Sequence, residues 1–371
     1  MMNKKKIFFI LPEVNIGGVE VNTLNFANYL VNHNFEVSII YQRLTNFEFR
    51  KKFNSNIKFI KLSNVSLKRQ IFEYLKLIRI SSPDVIINSM LFVHIVLIVA
   101  KYLSKSKTKI LFKIETNLNK SIDARNIFAE KLIYFFFGKI FIRLSDSVVC
   151  SSEEILKHSK SYFSNNDSGK LFLNYNPITK SSNKPNFSVK PKHPFFNDGN
   201  NVLISIGRLI PEKGFRDLIN VFNMLIKKNS SNNQKLLIIG EGKEYYDLRE
   251  HIDSLSLSNS VDILKFNDDF ERYLYFSNIF ICNSTYEGFN NNIVHALNMG
   301  IYVISKDCDF GPREILLNKE YGALAKNDSE LLECLIYFSD QNKSFNEVGF
   351  RRSLDFSIER SSENLIKIIN R

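Results

Sequence analysis

Apolar runs of four to six residues recur along the chain, and between them apolar positions return every three or four residues. In the first half the runs lie at 6–11, 36–41, 58–62, 84–87, 109–113, 147–150 and 171–176. In the second half they lie at 202–206, 235–239, 261–264, 278–282 and 301–305, and a helical pattern follows at 329–338. Runs this short, apolar at successive positions, predict strands covered on both faces, while the longer period between them predicts helices. Strand and helix in alternation build a parallel sheet with helices on each side. The predicted fold class is α/β, with two Rossmann-like, doubly wound domains.

The pattern stops between residues 179 and 200, a polar stretch carrying Pro185, Pro191, Pro194 and Gly199. That composition predicts the linker between the domains. The N-terminal domain is placed at 1–180 and the C-terminal domain at 181–355. A last helical pattern at 356–371 predicts a terminal helix packing back toward the N-terminal domain. A chain of 371 residues supplies cores for both domains.

Charge changes the picture more than overall composition does. The net charge is +12, with 27 Lys and Arg against 13 Asp and Glu in residues 1–180, and 23 against 25 thereafter. A basic half predicts an anionic partner: nucleic acid, an anionic membrane surface or a phosphorylated substrate. Zinc-finger spacing, RNP-type aromatic strands and basic heptads are all missing, which argues against nucleic acid. The run at 131–143, apolar and aromatic between cations, fits an interfacial helix on an anionic bilayer and equally fits a buried core helix.

Cys150, Cys282, Cys308 and Cys334 form no C-x-x-C pair and lie in or beside apolar runs, which predicts buried thiols in a reducing compartment. The first apolar run ends at Pro12, too soon for a secretory leader, and the run at 90–100 is too short to span a bilayer. A cytoplasmic protein, peripheral on the inner face of the membrane, is the expectation. The six His show no metal-ligand spacing, and Asp307-Cys-Asp309 is discounted as a metal motif.

Doubly wound domains bind ligands at the carboxyl ends of their strands. After the run at 202–206 come Gly207-Arg208 and, five residues beyond the arginine, Lys213-Gly214-Phe215. Two cations across a turn suit a diphosphate, although read alone they are open to being solvated charges. Gly240-Glu-Gly242 is half of a dinucleotide fingerprint and a weak signal. Gly17-Gly18 precedes a helical pattern at Val21, Leu24, Ala27 and Leu30, which suits a phosphate loop or a simple turn. Glu287 sits in a turn before another helical pattern, where backbone N–H groups face outward.

In this order, Gly17-Gly-Val-Glu20, Gly207-Arg-Leu with Lys213-Gly-Phe, Ile239-Gly-Glu-Gly242, and Tyr286-Glu-Gly-Phe with Ala296 and Gly300 resemble the motif series of the GT-B glycosyltransferases of glycosyltransferase family 4. The resemblance covers nearly the whole chain. It implies two Rossmann-like domains facing across a cleft. It also implies retaining transfer of a hexose or N-acetylhexosamine from a nucleotide diphosphate sugar, with UDP favoured by family frequency. The implied acceptor is a saccharide, which the basic first half suggests is lipid-linked, in bacterial surface polysaccharide or glycan synthesis. No metal or other cofactor is implied.

By the same resemblance, Arg208 and Lys213 hold the donor diphosphate and Gly17 and Gly18 face it from the other domain. Glu287 and the amides of Gly288, Phe289, Asn290 and Asn291 bind the hexose hydroxyls, and Phe266 and Asn267 lie near the nucleobase. Two positions depart from the pattern. His295 stands where the family has a second Glu for the ribose, and a change to Glu is expected to retain or improve donor affinity. Glu115 stands where many relatives have His near the sugar, with a role in orienting the acceptor or stabilising an oxocarbenium-like centre, or a plain loop role. The alternatives are a non-catalytic nucleotide-sugar-binding or membrane-associated protein of this fold, and a sugar epimerase.

Overall fold

Two all-parallel sheets organise the computed structural model, which describes residues 4–63, 67–116, 138, 140–161, 163, 169–180, 184–228, 233–317, 319–339 and 344–371. The chain divides into two compact units: Met1–Ile178 with Ile358–Arg371, and Thr179–Ser357.

The first unit holds strands β1 (Lys6–Ile10), β2 (Glu13–Val14), β3 (Glu36–Tyr41), β4 (Arg43–Leu44), β5 (Lys58–Lys61), β6 (Val85–Asn88), β7 (Lys109–Ile114), β8 (Ser147–Cys150) and β9 (Leu171–Leu173). Its main sheet runs β5-β3-β1-β6-β7-β8-β9, and β2 and β4 form a separate pair. The continuous apolar character of β1 has a direct cause. Ile7 and Phe9 pack with Leu24, Phe26 and Leu30 of the helix Gly18–Asn32, and with Leu365 and Ile368 of the helix Ile358–Ile369. Phe8 and Ile10 point the other way, onto Tyr74 and Ile78 of Leu67–Ser81 and Val93 and Leu97 of Leu91–Ser104. Each strand thus feeds two cores. The terminal helix is also tied to the sheet edge, where Asn364 Nδ2 donates to Leu173 O at 2.9 Å.

The second unit holds β10 (Asn201–Ile206), β11 (Gln234–Ile239), β12 (Val261–Leu264), β13 (Ile279–Cys282), β14 (Tyr302–Lys306) and β15 (Ala323–Ala325). Their order is β12-β11-β10-β13-β14-β15. Leu203, Leu236, Ile238 and Ile281 pack under Leu218, Phe222 and Leu225 of the helix Phe215–Lys228 and Leu331 and Leu335 of Asp328–Ser339. In each sheet the unit's first long strand is central, and the chain winds outward to one side before crossing to the other. The reversal falls between β1 and β6 in one unit and between β10 and β13 in the other. Such switch points leave a crevice at the strands' carboxyl ends.

The stretch at 179–200 is more than a linker. Thr179 bridges to Ser357, and Phe195 and Phe196 are buried in the second unit. His193 Nε2 lies 3.0 Å from Asp262 Oδ2 on β12. That hydrogen bond, joined by Arg249, holds the Asp262 carboxyl down at about 2. Local polarity hid two aromatic anchors and a histidine clamp. The strand β15 also escapes sequence patterning, because an apolar run of three residues carries no period.

No helix among the described residues is long and apolar enough to cross a membrane. The run at 131–143 lies largely outside the described residues, which include only 138 and 140–143 of it.

Candidate functional site

The switch point of the second unit brings three loops together. After β10, Gly207 and Arg208 lead into a 3-10 turn, Pro211–Lys213, that ends at Gly214 with φ +63. A Cβ on Gly214 would collide with the backbone oxygen of Asn283, just past β13. Only glycine permits that approach in that backbone conformation. The contact is locked from both sides. Asn283 Nδ2 donates to Gly214 O at 2.8 Å, and Thr285 N donates to Glu212 O at 2.9 Å.

This seam carries Lys213 to Glu287. Lys213 Nζ lies 2.6 Å from Glu287 Oε1, with the lysine side chain 20% and the glutamate side chain 8% exposed. Ser284 Oγ donates to the same oxygen at 2.5 Å and Asn290 Nδ2 at 2.8 Å. Three donors converge on one carboxylate oxygen. Among the described residues Oε2 accepts nothing, and an ammonium has three N–H groups of which Lys213 uses one. The pair is therefore rigid yet keeps both an acceptor and donors for a ligand.

Asn290 deserves its place by geometry. Its φ is +66, a left-handed conformation that asparagine tolerates. From there its Oδ1 accepts from the N–H groups of Asn292 and Ile293 and caps the helix Asn291–Asn298. Its amide nitrogen also reaches Cys282 Sγ at 3.1 Å. The helix start is thus partly satisfied by its own cap. Phe289 offers backbone alone, since its ring is buried against Phe356 at 5.2 Å. Arg208 is exposed, and its guanidinium makes no hydrogen bond among the described residues.

Gly240 and Gly242 have a packing role. A Cβ on either would strike the backbone oxygen of Gly207 or Leu209, so these glycines let the β11 loop press against the cation-bearing loop. Asp307 of the discounted acidic motif is engaged by Arg313, and the backbone of Asp309 accepts from Glu287 N at 3.3 Å.

One turn along the helix Asn291–Asn298, His295 Nδ1 lies 3.1 Å from Glu271 Oε1. Glu271 opens the helix Phe270–Phe276. The His295 ring meets Phe270 edge to face at 5.0 Å, and Phe270 packs on Phe266 at 5.3 Å. The hydrogen bond from His295 holds the Glu271 carboxyl below its ordinary range against the opposing effect of burial. Asn267 turns its side chain onto its own loop, accepting from Asp269 N at 3.0 Å. No local pattern pointed to Glu271, which lies 24 positions before its partner.

In the first unit the corresponding edge holds a second cluster. Lys113 Nζ lies 2.9 Å from Glu115 Oε1 and 2.8 Å from Asn176 Oδ1, and it sits over the Phe26 ring at 5.2 Å. Ser89 Oγ donates to Glu115 Oε1 at 3.2 Å, and Asn22 Nδ2 to Glu115 Oε2 at 2.9 Å. Asn22 lies one turn into the helix that begins at Gly18, so Glu115 and the Gly17-Gly18 loop share one edge of this sheet. Gly17 is crowded by the Glu20 carboxylate, while a Cβ on Gly18 would meet open space. Asn22, Ser89 and Asn176 were missed, because lone polar residues at strand and helix ends carry no periodic signal.

Residues 187–347 match the family model Glycosyl transferases group 1. Over 292 residues the chain is 28% identical to an uncharacterised glycosyltransferase of Methanocaldococcus jannaschii, covering 67% of this chain and 71% of that one. It is 26% identical over 271 residues to the amylovoran biosynthesis glycosyltransferase AmsD of Erwinia amylovora, covering 70% and 72%. Among solved structures, Anabaena HepE in complex with UDP and glucose matches with a TM-score of 0.80 over 99% of both chains, at 16% identity. The fold is GT-B, and together with the domain match it supports a GT-B glycosyltransferase.

Proposed function

We propose that this chain transfers a hexose or N-acetylhexosamine from a nucleotide diphosphate sugar to a saccharide acceptor, with retention at the anomeric carbon. The observation that carries this reading is the convergence of Lys213, Ser284 and Asn290 on one oxygen of Glu287 at the switch point. A sugar diphosphate needs cations for its phosphates and an ionised acceptor for its hydroxyls within one short reach. Lys213 and Glu287 supply both, each holding the other in place. Arg208 adds a second cation on the same loop.

In this reading the glycosyl bond to the diphosphate breaks with its electron pair leaving on oxygen. Arg208 and Lys213 stabilise that developing charge, the type of contribution that is usually largest in catalysis. Glu287 Oε2 and the amides of residues 288–291 hold the hexose. Phe266 and the Asn267 backbone lie toward the base. Gly17 and Gly18 serve the same transfer from the first unit, and Glu115, both of whose oxygens are engaged, takes its part by holding that edge in shape. The two cations do the work of charge neutralisation, so activity is expected to survive chelation of divalent metal.

UDP is the first nucleotide to test, a choice supported by the UDP and glucose in the HepE complex. A role in surface polysaccharide or glycan synthesis is supported by the relative named for amylovoran biosynthesis. The basic excess in residues 1–180 supports a lipid-linked acceptor at an anionic inner membrane face. A thermal-shift screen of nucleotide sugars tests the donor, since a bound ligand raises the unfolding temperature by mass action. Transfer to lipid-linked saccharides, with the product anomer read by NMR, tests the reaction. Donor binding without transfer or hydrolysis would leave a non-catalytic binding protein.

A further inference from the structure

The pair formed by Glu271 and His295 has no part in the convergence on Glu287, and its chemistry is specific. His295 keeps 14% of its side chain exposed and is fixed on two sides, by the Phe270 ring and by the Glu271 carboxylate. Glu271 keeps 38% exposed and spends one oxygen on the histidine. Among the described residues its second oxygen accepts nothing. Beside it lie two aromatic rings, Phe266 and Phe270, tilted 32° to one another with centroids 5.3 Å apart, just past the carboxyl end of β12.

A carboxylate accepts hydrogen bonds and donates none, so the ligand it suits carries hydroxyl groups. A flat ring surface next to it suits a heterocycle. A hydroxyl-bearing sugar joined to a heterocycle is a nucleoside. Helix geometry agrees with that order, because His295 stands about 6 Å along its helix from the Asn291 end, beside which Asn290 binds Glu287 and Glu287 binds Lys213. A nucleoside attached to a diphosphate at Lys213 has to extend away from Glu287, and this pair is the polar feature one helical turn away.

We propose that Glu271 recognises the ribose diol of the donor nucleotide, with His295 as the positioning residue that aims it. The inference rests on the donor reading given above. It reassigns the negative charge that His295 lacks to a neighbouring helix. The motif position holds an imidazole, and the carboxylate arrives from Phe270–Phe276 instead. Reversing the motif departure is then unhelpful: His295→Glu would press a second carboxylate against Glu271 and remove its donor. Tolerance of that change, expected from the sequence alone, becomes a loss.

Titration calorimetry with UDP and 2′-deoxy-UDP tests the proposal on the full chain, with GDP and its 2′-deoxy form should GDP bind more tightly. Wild type is expected to favour the ribonucleotide by about tenfold or more, the range of one hydrogen bond to a charged group. Glu271→Gln is expected to weaken UDP by a similar factor and 2′-deoxy-UDP by clearly less, so the preference collapses. His295→Glu is expected to weaken UDP, and the double change with Glu271→Gln to recover it, since one carboxylate is again present. A merely structural role would shift both nucleotides together. If wild type binds UDP and Glu271→Gln keeps both its affinity and its ribose preference, the inference is overturned while the donor reading stands. If wild type binds no nucleoside diphosphate, both fall.

Discussion

Each unit holds a lysine–glutamate pair at the carboxyl edge of its sheet, and the two are wired differently. Lys113 lies on β7 and Glu115 just past its end, with side chains 5% and 12% exposed. Lys113 is shared between Glu115, Asn176 and the Phe26 ring, and both Glu115 oxygens are occupied. Lys213 and Glu287 come from separate loops, and both keep hydrogen-bonding capacity in reserve. The difference lies in saturation. A buried pair whose groups are all engaged fixes local geometry, whereas a pair left partly unsatisfied at a crevice is poised for a ligand.

The sharpest way to break this comparison is to remove each lysine. Lys213→Ala is expected to lower the transfer rate by about 10²–10³-fold, the usual loss for one preorganised charge-stabilising donor. Its thermal stability should fall little, since Ser284 and Asn290 still hold Glu287. Lys113→Met should do the opposite. It strands Glu115 in a nearly buried site and is expected to cost about 3–5 kcal/mol in denaturant unfolding. Equal stability losses from the two changes, measured side by side, would erase the distinction.

The two pairs also differ in how far the sequence revealed them. Both sheets were legible, because apolar runs such as 202–206 and 235–239 are covered on both faces and leave a clear period. Glu287 and Lys213 were legible because glycines and a helix start frame them. Their mutual contact was not, since it depends on Gly214 closing against Asn283 across 69 residues. The first unit's cluster was harder still. Asn22, Ser89, Lys113 and Asn176 come from four elements, and no spacing in the chain announces that they meet Glu115. Glu271 was invisible for the same reason.

Acid separates the units next. His94, wholly buried in the first, stacks on Phe112 at 4.4 Å and lies 3.1 Å from Phe141 O and 2.9 Å from Ser145 Oγ. Burial pushes its ring down from 6.5 to about 4. The unfolded chain therefore takes up a proton below 6.5 that the folded chain refuses until about 4. Stability is full above that window and falls as pH drops through it, by about 3 kcal/mol in total. In the second unit Asp262 is held at about 2 against 3.8, so its contribution is full above 3.8 and is lost only as pH falls toward 2. With no tryptophan as a probe, hydrogen exchange read by mass spectrometry can follow each unit. The first unit is expected to loosen at higher pH than the second, and His94→Gln to flatten its slope between 6.5 and 4.

The smallest change concerns two glycines that look alike in the sequence, each just before or at the start of a helix beside the proposed phosphate site. Gly214 has φ +63 and no room for a Cβ, so Gly214→Ala is expected to destabilise the second unit by more than 1 kcal/mol. Gly18 is the first residue of its helix and faces open space, where alanine also lowers the entropy of the unfolded chain. Gly18→Ala should leave stability unchanged or raise it by up to about 1 kcal/mol. Its cost should appear in the enzyme's work instead, as weaker donor use, because a methyl group there stands between the helix start and an approaching phosphate. Thermal unfolding with and without nucleotide sugar separates the two outcomes. A Gly18→Ala protein that is as stable and as active as wild type would remove Gly18 from the site and leave the first unit with Glu115 alone.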